Sequence, residues 1–154
     1  MHLAAWHKPS FYRKVAVFQQ KDEQNRAAIS PEEELALWLL SESRRFELQD
    51  ERISQALADW NLTGKRDYPV WELSAGEQKR LTLAGMNLFP QRYWLLDEPT
   101  AGLDEAGTEL LIAELHQRRK TERGALLVTH HKDLFQPVAD EVWTMQAGGN
   151  LART

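Results

Sequence analysis

Two acidic residues, Asp97 and Glu98, close a run of four hydrophobic residues, Tyr93 to Leu96. Side chains alternate along a strand, so at its end two neighbouring carboxylates point in different directions and can take different roles. An aspartate at the carboxyl end of a buried strand is placed to hold Mg2+ through water in a phosphate-cleaving site. The glutamate after it can orient or deprotonate an attacking water. An acid pair that merely ends a strand at the solvent edge has the same local sequence.

Upstream, Ser74, Ala75, Gly76 and Glu77 read as an S-x-x-E capping box, with Ser74 capping and Glu77 reaching back. The small residues just inside the helix leave backbone N–H groups approachable, and the helix dipole favours an anion there. A well-capped helix without a ligand fits these four residues too. Downstream, the strand-like run "GALLVTH" ends in His130, which near neutral pH can bond a phosphate oxygen or a water. His131 reads as a helix-start residue. Between these features, "PTAGLD" makes a tight turn ending in Asp104, which can cap the next helix.

These groups need a scaffold, and the flanking sequence describes one. "KVAVFQQ", 14–20, is β-branched and aromatic, as a buried strand requires. "SPEEELALWLLSESRR", 30–45, opens with Ser30 to cap, Pro31 at the first helical position and Glu33 to complete a capping box. "DERISQALADWN", 50–61, places Ile53, Leu57 and Trp60 at helical spacing. "NLTGKRDYPV" reads as a loop. A third helix starts at Ser74 and stops before Pro90. "YWLLD" is a continuous apolar run of the kind buried in parallel sheets, a helix covers about 105–121, "GALLVTH" is another strand, and "EVWTMQ" is a last one before an "AGGN" turn. Alternation of strand and helix after Tyr93 argues for an α/β domain with a parallel sheet.

The 154 residues suffice for one domain with a real core. A hydrophobic share of 42% with 27% charged residues is that of an ordinary globular protein. The net charge of −4 argues against a general nucleic-acid binder, so no nucleic-acid partner is expected. With no cysteine there is neither a disulfide framework nor a thiolate metal site, as suits a reducing cytosol. The opening "MHLAAWHKPSFYRK" lacks the apolar core of a secretory signal. No run approaches the roughly 20 apolar residues that span a bilayer. Any membrane process served by this protein therefore takes its membrane part from another subunit.

The order and spacing of these features resemble the ATP-binding-cassette (ABC) ATPase family over almost the whole chain. "LSAGE" is similar to the family signature, "YWLLDE" to its Walker B strand, "AGLD" to its D-loop, "VTH" to its switch-histidine loop and "FQQKDEQ", 18–24, to its Q-loop. Gln24 and the acidic "EEEL" resemble cobalt- and vitamin-type, or energy-coupling, importers. "HLAAWHKPSFYRKVAVFQQ" resembles the stretch ahead of the Q-loop in iron-complex importers, and heme and other importers remain open.

The resemblance implies an α/β fold: a partial P-loop NTPase parallel sheet with a helical subdomain. Residues 1–154 would form one incomplete nucleotide-binding domain, with about 25–92 as the helical subdomain carrying the signature helix and 93–154 as the C-terminal part of the catalytic core. It implies ATP and Mg2+ as cofactors. Gln19 would touch Mg2+ or the attacking water and couple the site to a membrane partner. Asp97 would hold Mg2+ through water, Glu98 would be the general base, and His130 would contact the γ-phosphate. Ser74 and Gly76, within the signature stretch that includes Ala75 and Glu77, would bind the γ-phosphate held by a second cassette in a head-to-tail dimer. Asp104 would help form that contact. The implied partners are a second ATPase subunit and a transmembrane permease, which would hold the protein peripherally on the cytoplasmic face of the membrane. Three positions depart from the pattern: Ala75 where glycine is usual, Glu77 where glutamine is common, and His131 where aspartate is usual.

The family's phosphate loop, G-x-x-x-x-G-K-[ST], is not found in the sequence. "TGKRD", 63–67, has one glycine, no Ser or Thr after its lysine, and follows the Q-loop, which the family's loop precedes. The expectation is the C-terminal two-thirds of a cassette, with Met1 an internal methionine or the chain a fragment, and little ATP hydrolysis by these 154 residues alone. A non-catalytic module that lends "LSAGE" to a partner's ATP, or regulates a full-length cassette, is the alternative. An ABC-type ATPase of DNA maintenance or translation is a third class. "DEPTAGLD" and the lack of coiled-coil heptads argue against SMC-type proteins, and translation factors carry two cassettes in one chain. The transported solute cannot be read from these residues.

Overall fold

A computed structural model describes residues 15–18, 29–42 and 51–154. Gln19, Gln24 and the stretch ahead of Val15 lie outside the described residues. Strand β1 is Val15–Phe18, and helices α1 (Pro31–Glu42), α2 (Glu51–Asp59) and α3 (Ala75–Asn87) separate it from β2 (Tyr93–Asp97). Helix α4 (Glu105–Lys120) then leads to β3 (Gly124–Val128), short helix α5 (Lys132–Phe135), and strands β4 (Trp143–Met145) and β5 (Leu151–Arg153).

The first three strands form a parallel sheet in the order β1-β2-β3. Val17 stands beside Leu95 and Leu95 beside Leu126, which fixes the faces. One face carries Ala16, Phe18, Trp94, Leu96 and Leu127 and packs into the core with α3 and α4. The other carries Val17, Tyr93, Leu95, Leu126 and Val128, of which all but Leu95 are exposed. Parallel strands are normally covered on both faces; among the described residues no element packs over this one.

Helices α1, α2 and α3 pack on one another, with Leu35, Leu39, Ile53, Leu57, Trp60, Leu81 and Leu83 all buried. The capping box expected at α1 is displaced by one residue. Ser30 Oγ accepts the Glu33 N–H at 3.3 Å, but the Glu33 carboxylate accepts from the Ile29 N–H at 3.0 Å rather than from Ser30. Glu32 forms an ion pair with Arg66, and the Glu32 N–H donates to the Arg66 carbonyl at 3.2 Å, tying α1 to the stretch after α2.

Two expectations change in detail. The loop read over 61–70 holds a single 3-10 turn at Thr63–Lys65, and another follows at Val70–Glu72. The strand expected at "EVWTMQ" is shorter, and the chain returns after its glycine turn as β5, antiparallel to β4. A hairpin satisfies its ladder locally, so these strands form a separate two-stranded sheet rather than joining the parallel one.

Buried between β2 and α4, the Arg118 guanidinium stacks on the Trp94 ring, 4.1 Å from its centroid, and donates to the Gln91 carbonyl at 2.9 Å. Glu114 lies 3.8 Å away. Burial lowers the Arg118 pKa to about 10, which leaves it charged at neutral pH, and burial raises that of Glu114. This group pins α4 onto the strand that ends in the acid pair.

Candidate functional site

Strands β2 and β3 run parallel, so their carboxyl ends lie together. The ladder extends one bond past β2, where the Glu98 N–H donates to the Val128 carbonyl at 2.8 Å. There Glu98 adopts a φ of +45°, a region few non-glycine residues occupy. Its side chain meets the end of β3: one carboxylate oxygen accepts the His130 backbone N–H at 3.0 Å, and the other accepts the Thr129 hydroxyl at 3.4 Å. His130 Nε2 lies 3.5 Å from the first of these oxygens. The Glu98 side chain is only 18% exposed and that of His130 is 94% exposed, so the carboxylate is sheltered while the imidazole is open.

Asp97 lies on the other course of the alternation, on the open face with Tyr93 and Leu95. It is exposed, and its carboxylate has no hydrogen bond or ion pair among the described residues. No cluster of three His, Asp or Glu side chains able to hold a metal occurs among those residues. A hard cation here would therefore take one protein carboxylate, with its remaining ligands from water and phosphate, which is the usual manner of Mg2+. The donor set fits that ion and does not form an all-protein cage.

The second group of expected residues gathers where α3 meets the turn after β2. Ser74 Oγ accepts the Glu77 N–H at 3.2 Å and the Glu77 carboxylate accepts the Ser74 N–H at 2.8 Å, a complete capping box. That hydrogen bond with the Ser74 backbone, assisted by Lys65 and Arg80, holds the Glu77 carboxyl below the usual range. Ser74 and Ala75 are exposed and Gly76 is buried. A Cβ on Gly76 would stand 3.3 Å from the Asp104 nitrogen and 3.5 Å from the Gly102 oxygen. The start of α3 thus rests directly on the turn that carries Asp104. Asp104 in turn caps α4 by accepting the Gly107 N–H at 2.8 Å.

Gln19 lies outside the described residues. The other expected residues fall into two groups: Asp97, Glu98 and His130 at the strand ends, and Ser74, Ala75, Gly76, Glu77 and Asp104 at the α3 terminus. The turn 99–103 connects them, with Gly102 in a left-handed conformation, φ +79°.

Three further residues join the site without having been singled out from sequence. Thr129 bonds the Glu98 carboxylate and also accepts the His131 N–H at 3.0 Å, so it braces the strand end. Arg80 is buried, lies 3.5 Å from the Asp104 carboxylate, and has its Nε without a partner among the described residues. Lys79 is also buried, with its Nζ 3.1 Å from where a Cβ on Gly102 would be. The available signal for Arg80 was its place four residues after Gly76, on the same helix face. His131 leads into α5 without a side-chain cap, which accounts for nothing an aspartate there would do.

Residues 2–101 match the family model described as "ABC transporter". A protein of Nostoc sp. named as an ABC transporter ATP-binding protein is 34% identical over 88% of this chain and 50% of its own length. A cobalt import ATP-binding protein of Rhodobacter capsulatus is 40% identical over 66% of this chain and 36% of its own. A cytochrome c biogenesis ATP-binding export protein of Vibrio parahaemolyticus is 41% identical over 56% and 42%. The chain thus spans about half, or less, of the length of these relatives. Among solved structures, the complex of archaeal ribosomal stalk protein aP1 with the ribosome recycling factor aABCE1 matches with a TM-score of 0.67 over 88% of this chain and 26% of the other, at 23% identity. That likeness concerns the fold.

Proposed function

This chain belongs to the ABC transporter family, and we propose that it is part of an ATP-binding and ATP-hydrolysing subunit that energises a membrane transporter. The observation that carries this reading is the sheltered Glu98 carboxylate, held by Thr129 and His130 from the neighbouring strand beside an exposed Asp97. Asp97 would hold Mg2+ through water. Mg2+, when bound with ATP, would neutralise phosphate charge and align the γ-phosphate for attack. Glu98 takes the proton of the attacking water, and His130 contacts the γ-phosphate. Gln19 assists at the metal or the water. Ser74, Ala75, Gly76 and Glu77 offer the N-terminus of α3 to the ATP of a second cassette, and Asp104 contributes to the head-to-tail contact.

The same reading makes about 25–92 a helical subdomain that meets a permease and 93–154 the C-terminal part of the catalytic core. No helix among the described residues is long and apolar enough to cross a membrane, and a permease partner would hold the protein on the cytoplasmic face. The Rhodobacter relative, named for cobalt import, supports a metal, vitamin or chelate importer, whereas the Vibrio relative is named for export. The 154 residues alone hydrolyse ATP slowly or not at all, because they carry no G-x-x-x-x-G-K-[ST] loop.

The test is Mg·ATP binding and hydrolysis by the protein assembled with a phosphate-loop segment, in wild-type and Glu98→Gln forms. Binding retained with hydrolysis lost in the variant supports the proposal. Equal hydrolysis in both forms refutes it. A regulatory role, in which this chain lends its capped α3 terminus to an intact cassette, predicts instead that association with that cassette depends on Ser74 and not on Glu98.

A further inference from the structure

Asp104 uses its two carboxylate oxygens for two different helices. Oδ1 caps α4 by accepting the Gly107 N–H at 2.8 Å, and Oδ2 lies 3.5 Å from the Arg80 guanidinium of α3. The joint has little slack. A Cβ on Gly76 would stand 3.4 Å from Asp104 Cγ, and one on Gly107 would stand 2.7 Å from Oδ1 and 3.3 Å from Arg80 Cδ. Gly76 and Arg80 are four residues apart, so one face of α3 brings both to Asp104. Lys79, beside Arg80 and also buried, approaches the same turn at Gly102.

Arg80 is 6% exposed. Among the described residues its ion pair is with Asp104, and its Nε has no partner. A buried charge with so few hydrogen bonds is a weak source of stability, and an apolar residue of similar volume would serve the packing as well. Capping does not require it, because Asp104 caps α4 through the other oxygen. What a planar guanidinium adds is direction, since it holds a carboxylate in one orientation.

We propose that Arg80 is a positioning residue which, through Asp104, locks the capped start of α3 to the turn that follows Asp97 and Glu98. This rests on the reading of the site given above, and it names what keeps the two groups of site residues in register. With the joint closed, the start of α3 and the turn 99–104 move as one body. A phosphate seated at Ser74 and Gly76 is then felt at Glu98, at the other end of that turn. With the joint open, each group keeps its own local structure and the register between them is lost.

The experiment is a double-mutant cycle. Arg80→Met keeps volume and removes the charge, and Asp104→Asn keeps an oxygen that still caps α4. In the 154-residue chain, the Ala101 and Leu103 amides, bonded within the turn, should exchange about tenfold faster in each variant. The double variant should be no faster, because both changes open the same joint. The Gly107 amide should stay protected in Asp104→Asn. In the protein assembled with a phosphate-loop segment, each variant should lower kcat roughly 10- to 100-fold with KM for ATP unchanged. Arg80→Lys should recover part of kcat, and it takes the place of Arg80→Met in the cycle if that variant does not fold. Additive effects on exchange or on kcat overturn the proposal, as does a wild-type kcat in Arg80→Met. A KM that rises as kcat falls also overturns it, since Arg80 would then serve ATP binding. If the assembled wild-type protein hydrolyses no ATP, the ATPase reading fails, and the exchange cycle by itself decides whether the joint exists.

Discussion

His130 and Glu98, which follow neighbouring parallel strands, meet at one carboxylate oxygen: the His130 backbone N–H donates to it at 3.0 Å and the imidazole Nε2 lies 3.5 Å away. A backbone bond orients the carboxylate whatever the imidazole does. The side chain of His130 is left to face outward.

This division separates stability from chemistry. His130→Ala keeps the backbone bond and removes an exposed ring, so stability should change by no more than about 0.5 kcal/mol. The role of general base proposed for Glu98 predicts that Glu98→Gln, in the protein assembled with a phosphate-loop segment, slows ATP hydrolysis by roughly 10²- to 10⁴-fold. Denaturant unfolding and single-turnover hydrolysis measure the two effects. A large stability loss in His130→Ala would mean the imidazole is structural.

Gly76 and Gly64 provide a paired steric test. A methyl group at Gly76 would press on the Asp104 backbone nitrogen at 3.3 Å, whereas one at Gly64 meets nothing within 4 Å. Gly76→Ala should cost about 1–3 kcal/mol as overpacking between two backbones. Gly64→Ala should be neutral or stabilise by up to about 1 kcal/mol through the unfolded state. Thermal melts of both variants decide this; equal effects would show that α3 and the 99–104 turn do not pack as described.

Acid should unfold this protein partly through two carboxylates. A hydrogen bond from Arg66 holds the Glu32 carboxyl below its usual range, and the Ser74 backbone does the same for Glu77. A depressed folded pKa stabilises the protein above the unfolded value, and that stability is lost as pH falls through the folded one. Glu114 acts in the opposite sense, since burial raises its pKa and its contribution is lost as pH rises. Stability should therefore fall as pH drops below the ordinary glutamate value of about 4.3, with a shallower slope in Glu32→Gln and in Glu77→Gln. Ser74→Ala, which removes the cap itself, should cost about 1 kcal/mol at neutral pH. Unchanged slopes in both glutamine variants would contradict the pairing.

Arg118 should be among the most sensitive positions. Arg118→Ala empties a buried site against Trp94, strips the Gln91 carbonyl of its donor and leaves Glu114 without its cation. A loss of about 3–5 kcal/mol is expected. Arg118→Met, which retains volume and removes the charge, should recover part of it. Chemical denaturation distinguishes the two; a mild Arg118→Ala would show that α4 is not pinned to β2 through this group.

Local order in this protein is written in its sequence. The Ser74 and Glu77 capping box, the apolar run from Tyr93 to Leu96, and the helical spacing of Ile53, Leu57 and Trp60 each encode their element through short-range chemistry, and each forms where expected. Strand β5 escaped notice because its three residues, Leu151–Arg153, are too few to show a period; pairing with β4 defines them. The shift of the Glu33 bond from Ser30 to Ile29 is equally a matter of local geometry that spacing cannot resolve.

Sequence by itself determined the α/β class, the order of the main strands and helices from β1 to β3, and the presence of acids at a strand end and of a capped helix start. Only the tertiary structure decided what those groups touch. Glu98 finds Thr129 and His130, 31 and 32 residues away, because parallel pairing brings two carboxyl ends together. Gly76 finds Asp104 because α3 packs on the turn after β2. Nor could sequence tell which face of "GALLV" stays open, since a continuous apolar run has no polar side to turn outward. Register against β2 settles it, leaving Leu126 and Val128 on the uncovered face and Leu127 against the core.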